Sequence, residues 1–479
     1  MNLSMVVYLL GWILLCEGAL LLLPAIVSAI YLESAVWALL GTAALCGLLG
    51  GALVHRKPKN RVFYLRDGFI VTALSWIVIS VMGALPFLLT GSIASPIDAV
   101  FETVSGFTTT GASILSDVES LPKGILFWRS FTHWIGGMGV LVFLLTLLPL
   151  TGGSHVNLMK AESPGPQVEK LVPSVQSTAK ILYGIYLGLT ALEVIFLLAG
   201  RMPLFDALTT TFGTAGTGGF GIKNNSIAGY STYLQIVVTV FMILFGVNFN
   251  FYFLILIRRA KRAFAMEEVR WYLIIILASI AIITWNISGM YASVATALRD
   301  AAFQVGSIIT TTGFSTTDFN LWPAASKTIL VILMFIGACA GSTGGGIKVS
   351  RIVVLFKTIR KELRRVLHPQ SVSVTSMDGK TVPHETLRSI NVFMVSYFVI
   401  LAVSTLLISF DEFDLVTNFT AVAATLNNIG PGLALVGPTQ NFSIFSGFSK
   451  LVLIFDMLAG RLEIFPMMLL FNKDTWRRF

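Results

Sequence analysis

Long apolar stretches separated by shorter polar ones organise the whole chain. Stretches of about 18 or more apolar residues are candidates to cross a membrane, because ~20 helical residues span the ~30 Å hydrocarbon core. They lie near 5–32, 35–54, 68–91, 125–150, 180–200, 233–257, 271–293, 326–350, 389–410 and 446–471. The gap after the second reads His55-Arg56-Lys57-Pro58-Lys59-Asn60-Arg61, which is strongly basic. Placed in the cytoplasm, it puts every other gap on the same side, and the positive-inside rule then tests the assignment. Segments 151–180, 258–270, 348–388 and 473–479 are rich in Lys and Arg, whereas the opposite gaps hold only Lys123, Arg201, Lys223, Arg299, Lys327 and Lys450. Those outer gaps carry acids instead, among them Asp98, Glu102, Asp206, Asp300, Asp318 and Asp414. The pattern predicts an all-α integral membrane protein of about ten spans, with both termini cytoplasmic.

The outer connections after spans three, five, seven and nine break this regularity. Each holds an apolar stretch too short to cross, followed by Gly and Thr. They end in Thr109-Thr110-Gly111, Thr217-Gly218-Gly219, Thr311-Thr312-Gly313 and Asn428-Ile429-Gly430. A unit of span, half-helix with loop, and span therefore recurs roughly every hundred residues, and such a repeat decides the architecture. The expected division is an accessory pair at 1–60, then repeats at 61–165, 166–262, 263–380 and 381–479.

Irregular backbone survives at membrane depth only where protein covers it or where it lines an aqueous cavity. Four such loops can meet on one axis. Glycine permits the backbone angles that turn successive carbonyls inward, and a ring of carbonyls replaces the hydration shell of a monovalent cation. Each preceding half-helix also points its negative end at that cation. Small residues packing helices together are the commoner meaning of one such loop, but four in equivalent places favour a selectivity filter.

Composition narrows the field further. Only 12% of residues are charged, against about 25% in soluble domains. Topology accounts for the net charge of +9, so no nucleic-acid partner is implied. Cys16, Cys46 and Cys339 sit in apolar stretches without metal-ligand spacing,. No Lys or Arg precedes Arg56, so the first stretch reads as a permanent anchor rather than a signal peptide,. The Arg360-Lys361-Glu362-Leu363-Arg364-Arg365 run offers contact with anionic membrane lipid,. Nothing assembles a nucleophile, a base and an oxyanion site, so the chain is not expected to be an enzyme or to bind a cofactor.

Span eight contains Gly337-Ala338-Cys339-Ala340-Gly341-Ser342-Thr343-Gly344-Gly345-Gly346-Ile347-Lys348. Glycines at about 1 kcal/mol each against Ala do not sustain a helix, and the run fails the phosphate-loop pattern because Ile347 precedes Lys348. A broken helix crossing the pathway below the loops is expected. Arg461, near the middle of the last span, is costly there and must face the interior with a partner. Asp456 is expected to pair with Arg461 or with another helix. Glu463 is expected to meet a basic surface group, Glu17 to make a packed hydrogen bond, and His133 to be a structural donor. Proton coupling is the functional alternative for Glu17 and Glu193.

These loops, together with Asn427-Asn428-Ile429-Gly430-Pro431-Gly432 and Gly460-Arg461-Leu462-Glu463-Ile464-Phe465, resemble the TrkH/KtrB superfamily of potassium-uptake proteins over nearly the whole chain. Two spans ahead of the first repeat resemble the TrkH branch. The resemblance implies four repeats around one pore, with potassium as the transported ion because Gly111, Gly219, Gly313 and Gly430 occupy the four filter positions. It implies a gate formed by Gly341, Ser342, Thr343, Gly344, Gly345 and Gly346, with Arg461 bonding its carbonyls. It also implies a homodimer in the bacterial inner membrane and a TrkA-like cytosolic ring binding NAD(H) and ATP/ADP, for which loops 151–180 and 348–388 offer docking surface. Because the four loops differ, fewer well-formed ion sites are expected than in a filter of identical strands. A symporter coupled to H+ or Na+, or a non-transporting membrane scaffold for a cytosolic complex, are the alternatives.

Overall fold

The computed structural model describes residues 2–58, 64–139, 175–370 and 374–476. The chain opens with α1 (Leu3–Leu20) and α2 (Leu22–Ile30), together one span, and returns through α3 (Ala35–His55). Small residues let α1 and α3 pack backbone against backbone: a Cβ on Gly50 would stand 2.7 Å from the Gly11 carbonyl oxygen. Glu17 is buried in α1, and neither carboxylate oxygen has a hydrogen-bond partner among the described residues, so the expected packed hydrogen bond is missing.

Four units of like plan follow. The first holds α4 (Leu65–Gly83) continued by α5 (Leu85–Leu89), the short α6 (Pro96–Phe107) and α7 (Lys123–Met138). The second holds α8 (Val175–Ala199), α9 (Leu204–Gly216), α10 (Thr232–Phe245) and α11 (Phe249–Leu256), with α12 (Ala260–Ala265) leading onward. The third holds α13 (Glu267–Ile287), α14 (Val294–Ile309), α15 (Ala324–Ile336) and α16 (Val349–Leu367). A two-stranded hairpin, β1 (Ser376–Met377) and β2 (Lys380–Thr381), precedes the fourth unit of α17 (His384–Ile408), α18 (Leu415–Leu426), α19 (Gly447–Arg461) and α20 (Phe465–Phe471). Asp378-Gly379, both at positive φ, make the hairpin turn, as an Asp-Gly pair between two strands favours.

Among the described residues, six helices are long and apolar enough to cross a membrane: the accessory pair and the first span of each unit. Of the four second spans, three break partway, and the first is described only as far as Gly139. Helix α7 stops at Gly139, where φ is +83°. Helices α10 and α11 meet at 90°. Helix α15 stops at Gly337 (φ +71°), and α19 stops just before Glu463 and Ile464, both at positive φ. Only the third break was expected from sequence. Residues 140–150 of the predicted fourth span, and most of the 151–180 loop, lie outside the described residues.

Large side chains such as Trp76, Phe101, Phe107 and Trp128 fill the interior around the short helices, while Leu48, Ile195, Leu277 and Val395 are exposed. That distribution suits a multi-pass membrane protein, whose outer surface is as apolar as its core. Substituting Gly50→Leu should overpack the accessory pair at a cost of about 1–3 kcal/mol. Thermal melting in detergent should register the loss, with transport per folded molecule unaltered.

Candidate ion-conduction site

The short helices α6, α9, α14 and α18 carry the site. Ser95, Ser293 and Asp414 cap three of their N-termini by accepting from the amides of Asp98, Thr296 and Thr417. Their C-termini end alike. Thr109, Thr217, Thr311 and Asn428 take left-handed backbone angles with φ between +55° and +59°. The next residue donates its amide back five positions: Thr110 to Ser105, Gly218 to Gly213, Thr312 to Ser307 and Ile429 to Ala424, at 2.8–2.9 Å. This is the Schellman closure of a helix, which glycine normally makes. Non-glycine residues hold it here at a cost of order 1–3 kcal/mol each, so the surroundings must enforce it.

Then comes the glycine. Gly111, Gly219, Gly313 and Gly430 all have positive φ, between +73° and +97°. Their neighbours are the finding that organises the site. A Cβ on Gly111 would strike the carbonyl of Gly218; on Gly219, that of Thr312; on Gly313, that of Ile429; and on Gly430, that of Thr110, at 2.8 Å. Each glycine therefore lies against the preceding residue of the next loop, and the fourth returns to the first. All four glycines line one cavity of about 130 Å³.

The loops differ in how they are braced. In loops one and three, threonine hydroxyls pair across the turn, Thr108 with Thr110 at 2.8 Å and Thr310 with Thr312 at 2.7 Å. Loop two has Gly218 where those have Thr110 and Thr312, because the imidazole of His133 fills the space that a Cβ would need. His133 donates from Nδ1 to the Gly106 carbonyl at 2.7 Å and accepts at Nε2 from the Phe220 amide at 3.2 Å, a neutral ring joining loops one and two. In loop four, Asn428 donates to the Thr110 hydroxyl and to the Met457 carbonyl, both at 2.9 Å. Tyr397 donates to the Asn427 side-chain oxygen at 2.9 Å.

A buried ion pair went unread in the sequence. Glu102, counted among the aqueous acids, is buried, and it pairs at 2.6 Å with Arg129, to which no role was assigned. Glu102 also accepts from the Ser113 hydroxyl and the Ile114 amide, just beyond loop one. Arg129 donates to the Gly221 carbonyl at 2.8 Å and lies over the Phe220 ring, just beyond loop two. The signal was a lone arginine within an apolar stretch, which demands a partner. Farther out, Asn224 donates to Asp117 at 2.8 Å and holds that exposed carboxyl below the usual aspartate range.

Beneath the ring runs the irregular segment between α15 and α16. The Gly345 amide donates to the Thr311 hydroxyl at 2.6 Å and the Gly346 amide to the Asn427 carbonyl at 3.1 Å. Thr343 donates to the Phe245 carbonyl at 3.3 Å, and Cys339 donates to Gly246 at 3.1 Å, so the segment seats in the break between α10 and α11. The hydroxyl of Ser342 turns back to the Cys339 carbonyl at 2.7 Å, the Gly344 carbonyl accepts from Lys348, and the Gly341 carbonyl accepts from the Phe249 amide at 2.9 Å. Arg461 gathers three parts. It donates to the Thr343 carbonyl at 2.9 Å, to the Gly136 and Gly137 carbonyls at 2.5 and 2.9 Å, and to the Thr109 hydroxyl at 3.4 Å.

Lys348, assigned from sequence to the cytoplasmic loop, is instead buried, with its ammonium on the Gly344 and Gly345 carbonyls. Glu463 pairs at 2.6 Å with Arg351, which is itself buried rather than at the surface. Asp456 accepts from Ser404 of α17 at 2.7 Å, so its partner is another helix and not Arg461. No cluster of His, Cys, Asp or Glu among the described residues could hold a metal.

Comparison with known proteins agrees with this architecture. A family model described as a cation transport protein, TrkH, matches residues 38–477. The Trk system potassium uptake protein TrkH of Salmonella typhimurium is 36% identical over the full length of both chains, and that of Escherichia coli 35%. The crystal structure of the potassium transporter TrkH from Vibrio parahaemolyticus superposes with a TM-score of 0.89 and 32% identity, covering both chains completely. With a family model spanning most of its length and relatives alike from end to end, this chain belongs to the TrkH family of cation transport proteins.

Proposed function

We propose that this chain takes up potassium through the ring formed by Thr109–Gly111, Thr217–Gly219, Thr311–Gly313 and Asn428–Gly430. The observation that carries the reading is the closed cycle in which each glycine abuts the next loop's carbonyl. That approach brings backbone oxygens from four loops around one axis, where they can replace an ion's water. The relatives named as potassium uptake proteins support potassium as the ion. The negative ends of four helices favour a cation at the centre. Inward movement down the membrane potential gains ~2.3 kcal/mol per charge for about 100 mV.

Residues 341–346 and Arg461 form the gate in this reading. The segment lies directly below loops three and four, and Arg461 ties it to the C-terminal end of α7 and to loop one. Its guanidinium keeps its charge and supplies several donors at once, so it both holds the segment and opposes a passing cation. In this reading the accessory pair is 1–60 and the repeats are 61–165, 166–262, 263–380 and 381–479. The remaining proposals are the bacterial inner membrane, cytoplasmic termini, a homodimer and a TrkA-like nucleotide-binding ring.

Three measurements test this reading. In liposomes holding the purified chain, rubidium uptake should follow an imposed voltage; uptake driven only by a pH or sodium gradient at zero voltage would favour the symporter, and none under any gradient the scaffold. Gly111→Ser should lower potassium over sodium permeability by about tenfold through displaced coordination, read as a shift in reversal potential. Arg461→Ala should raise rubidium flux or free it from regulation, and unchanged, regulated flux would reject the gate.

A further inference from the structure

One carboxylate beneath the ring belongs to neither the filter nor the gate just described. Glu268 is the second residue of α13 and is buried at 4% exposure. Its Oε1 accepts from the Ala340 amide at 2.6 Å and from the Ser350 amide at 3.1 Å. These two residues flank 341–346, one on each shoulder. The other oxygen accepts from Asn248 at 3.4 Å, in the break between α10 and α11 where the segment seats.

We propose that Glu268 is a positioning residue that latches the gating segment shut by tying both of its shoulders to one oxygen atom, and that the cytoplasmic hairpin holds the latch in place. The proposal rests on reading 341–346 as a gate. These two backbone amides need an acceptor, because burying an unsatisfied one is costly. Glu268 supplies it to both, so the shoulders separate only if one amide loses its partner.

The second half of the proposal rests on the residue next door. The Glu267 amide donates to Asp378 in the hairpin turn at 2.6 Å, and the Glu267 carboxylate pairs with Lys357 at 2.5 Å. Lys357 donates in turn to the Ser376 carbonyl at 2.7 Å. An acidic side chain at a helix N-terminus is favourably placed, so the hairpin seats on the end of α13 that bears Glu268. A cavity of about 150 Å³ bordered by Asn248, Glu268, Ala340, Ser350 and Asp378 leaves room for a shoulder to move. A force applied to the hairpin from the cytoplasm would therefore reach the gate through two adjacent residues of one helix.

The test is rubidium flux through the full chain in liposomes, with the rubidium-to-sodium ratio measured alongside. Glu268→Ala should raise flux by about tenfold, as loss of a charged hydrogen-bond acceptor would, with the ion ratio unchanged. Glu268→Gln retains a carbonyl oxygen for both amides and should restore restrained flux. Asp378→Ala, at the exposed turn, should raise flux by a smaller factor. If Arg461→Ala raises flux while Glu268→Ala and Asp378→Ala leave it unchanged, the latch is wrong and the gate stands. If none of the three changes flux, the gate falls and the latch with it. A flux rise in Glu268→Ala accompanied by a collapsed ion ratio would also overturn the latch, since it would mean a damaged filter. Should Glu268→Ala not fold, Asp378→Ala decides, with unchanged flux counting against the proposal.

Discussion

Everything at the centre of this molecule depends on the close approach of four glycines to four carbonyls. A methyl group at any of these positions would drive the neighbouring loop outward. The ring also forces the strained left-handed turn two residues earlier, because only that turn brings the chain from a helix end to the axis. Braces outside the ring hold the strain in place. His133 and the Glu102–Arg129 pair are two of them, joining the segments around loops one and two. Removing one member of such a buried pair leaves an uncompensated charge, at a cost of about 3–5 kcal/mol.

The same constraint explains the broken second spans. A straight helix passing beneath the ring would leave no place for irregular backbone to cross the axis. Helices that stop at Gly139, Phe245, Ile336 and Arg461 free their last carbonyls, and side chains or other loops bond to them. Arg461 takes those of Gly136 and Gly137; Thr343 and Cys339 take those of Phe245 and Gly246. Backbone groups freed by one break are thus satisfied by residues at another. This is how non-helical chain persists at membrane depth.

Much of this was legible in the sequence, for identifiable reasons. Apolar length locates the accessory pair and the first span of each unit, because lipid acts on every residue alike. The four Gly-ended loops stood out because glycine at positive φ leaves a residue-level mark. The breaks in α10/α11 and α19 left little mark: Asn248, Glu463 and Ile464 are ordinary residues in unusual backbone, set by tertiary contacts. Lys348 was misplaced because a charge-counting rule cannot tell a buried ammonium on glycine carbonyls from one in water. Glu268 was invisible for a related reason, since an acidic residue at a helix start reads as a simple cap. The substitution at Gly218 was seen but had no explanation until the His133 ring appeared beside it.

The ring is braced all the way round, by a different group at each junction. Side chains bridge loop one to loop two through His133 and loop four to loop one through Asn428. Loop three is tied to loop two by the Ser315 amide on the Ser226 hydroxyl, to loop four by Asn320 on the Ala434 backbone, and from below by the Gly345 amide on the Thr311 hydroxyl. Loops three and four both rest on the Gly-rich segment between α15 and α16, so the shape of the ring and the position of that segment are mechanically linked.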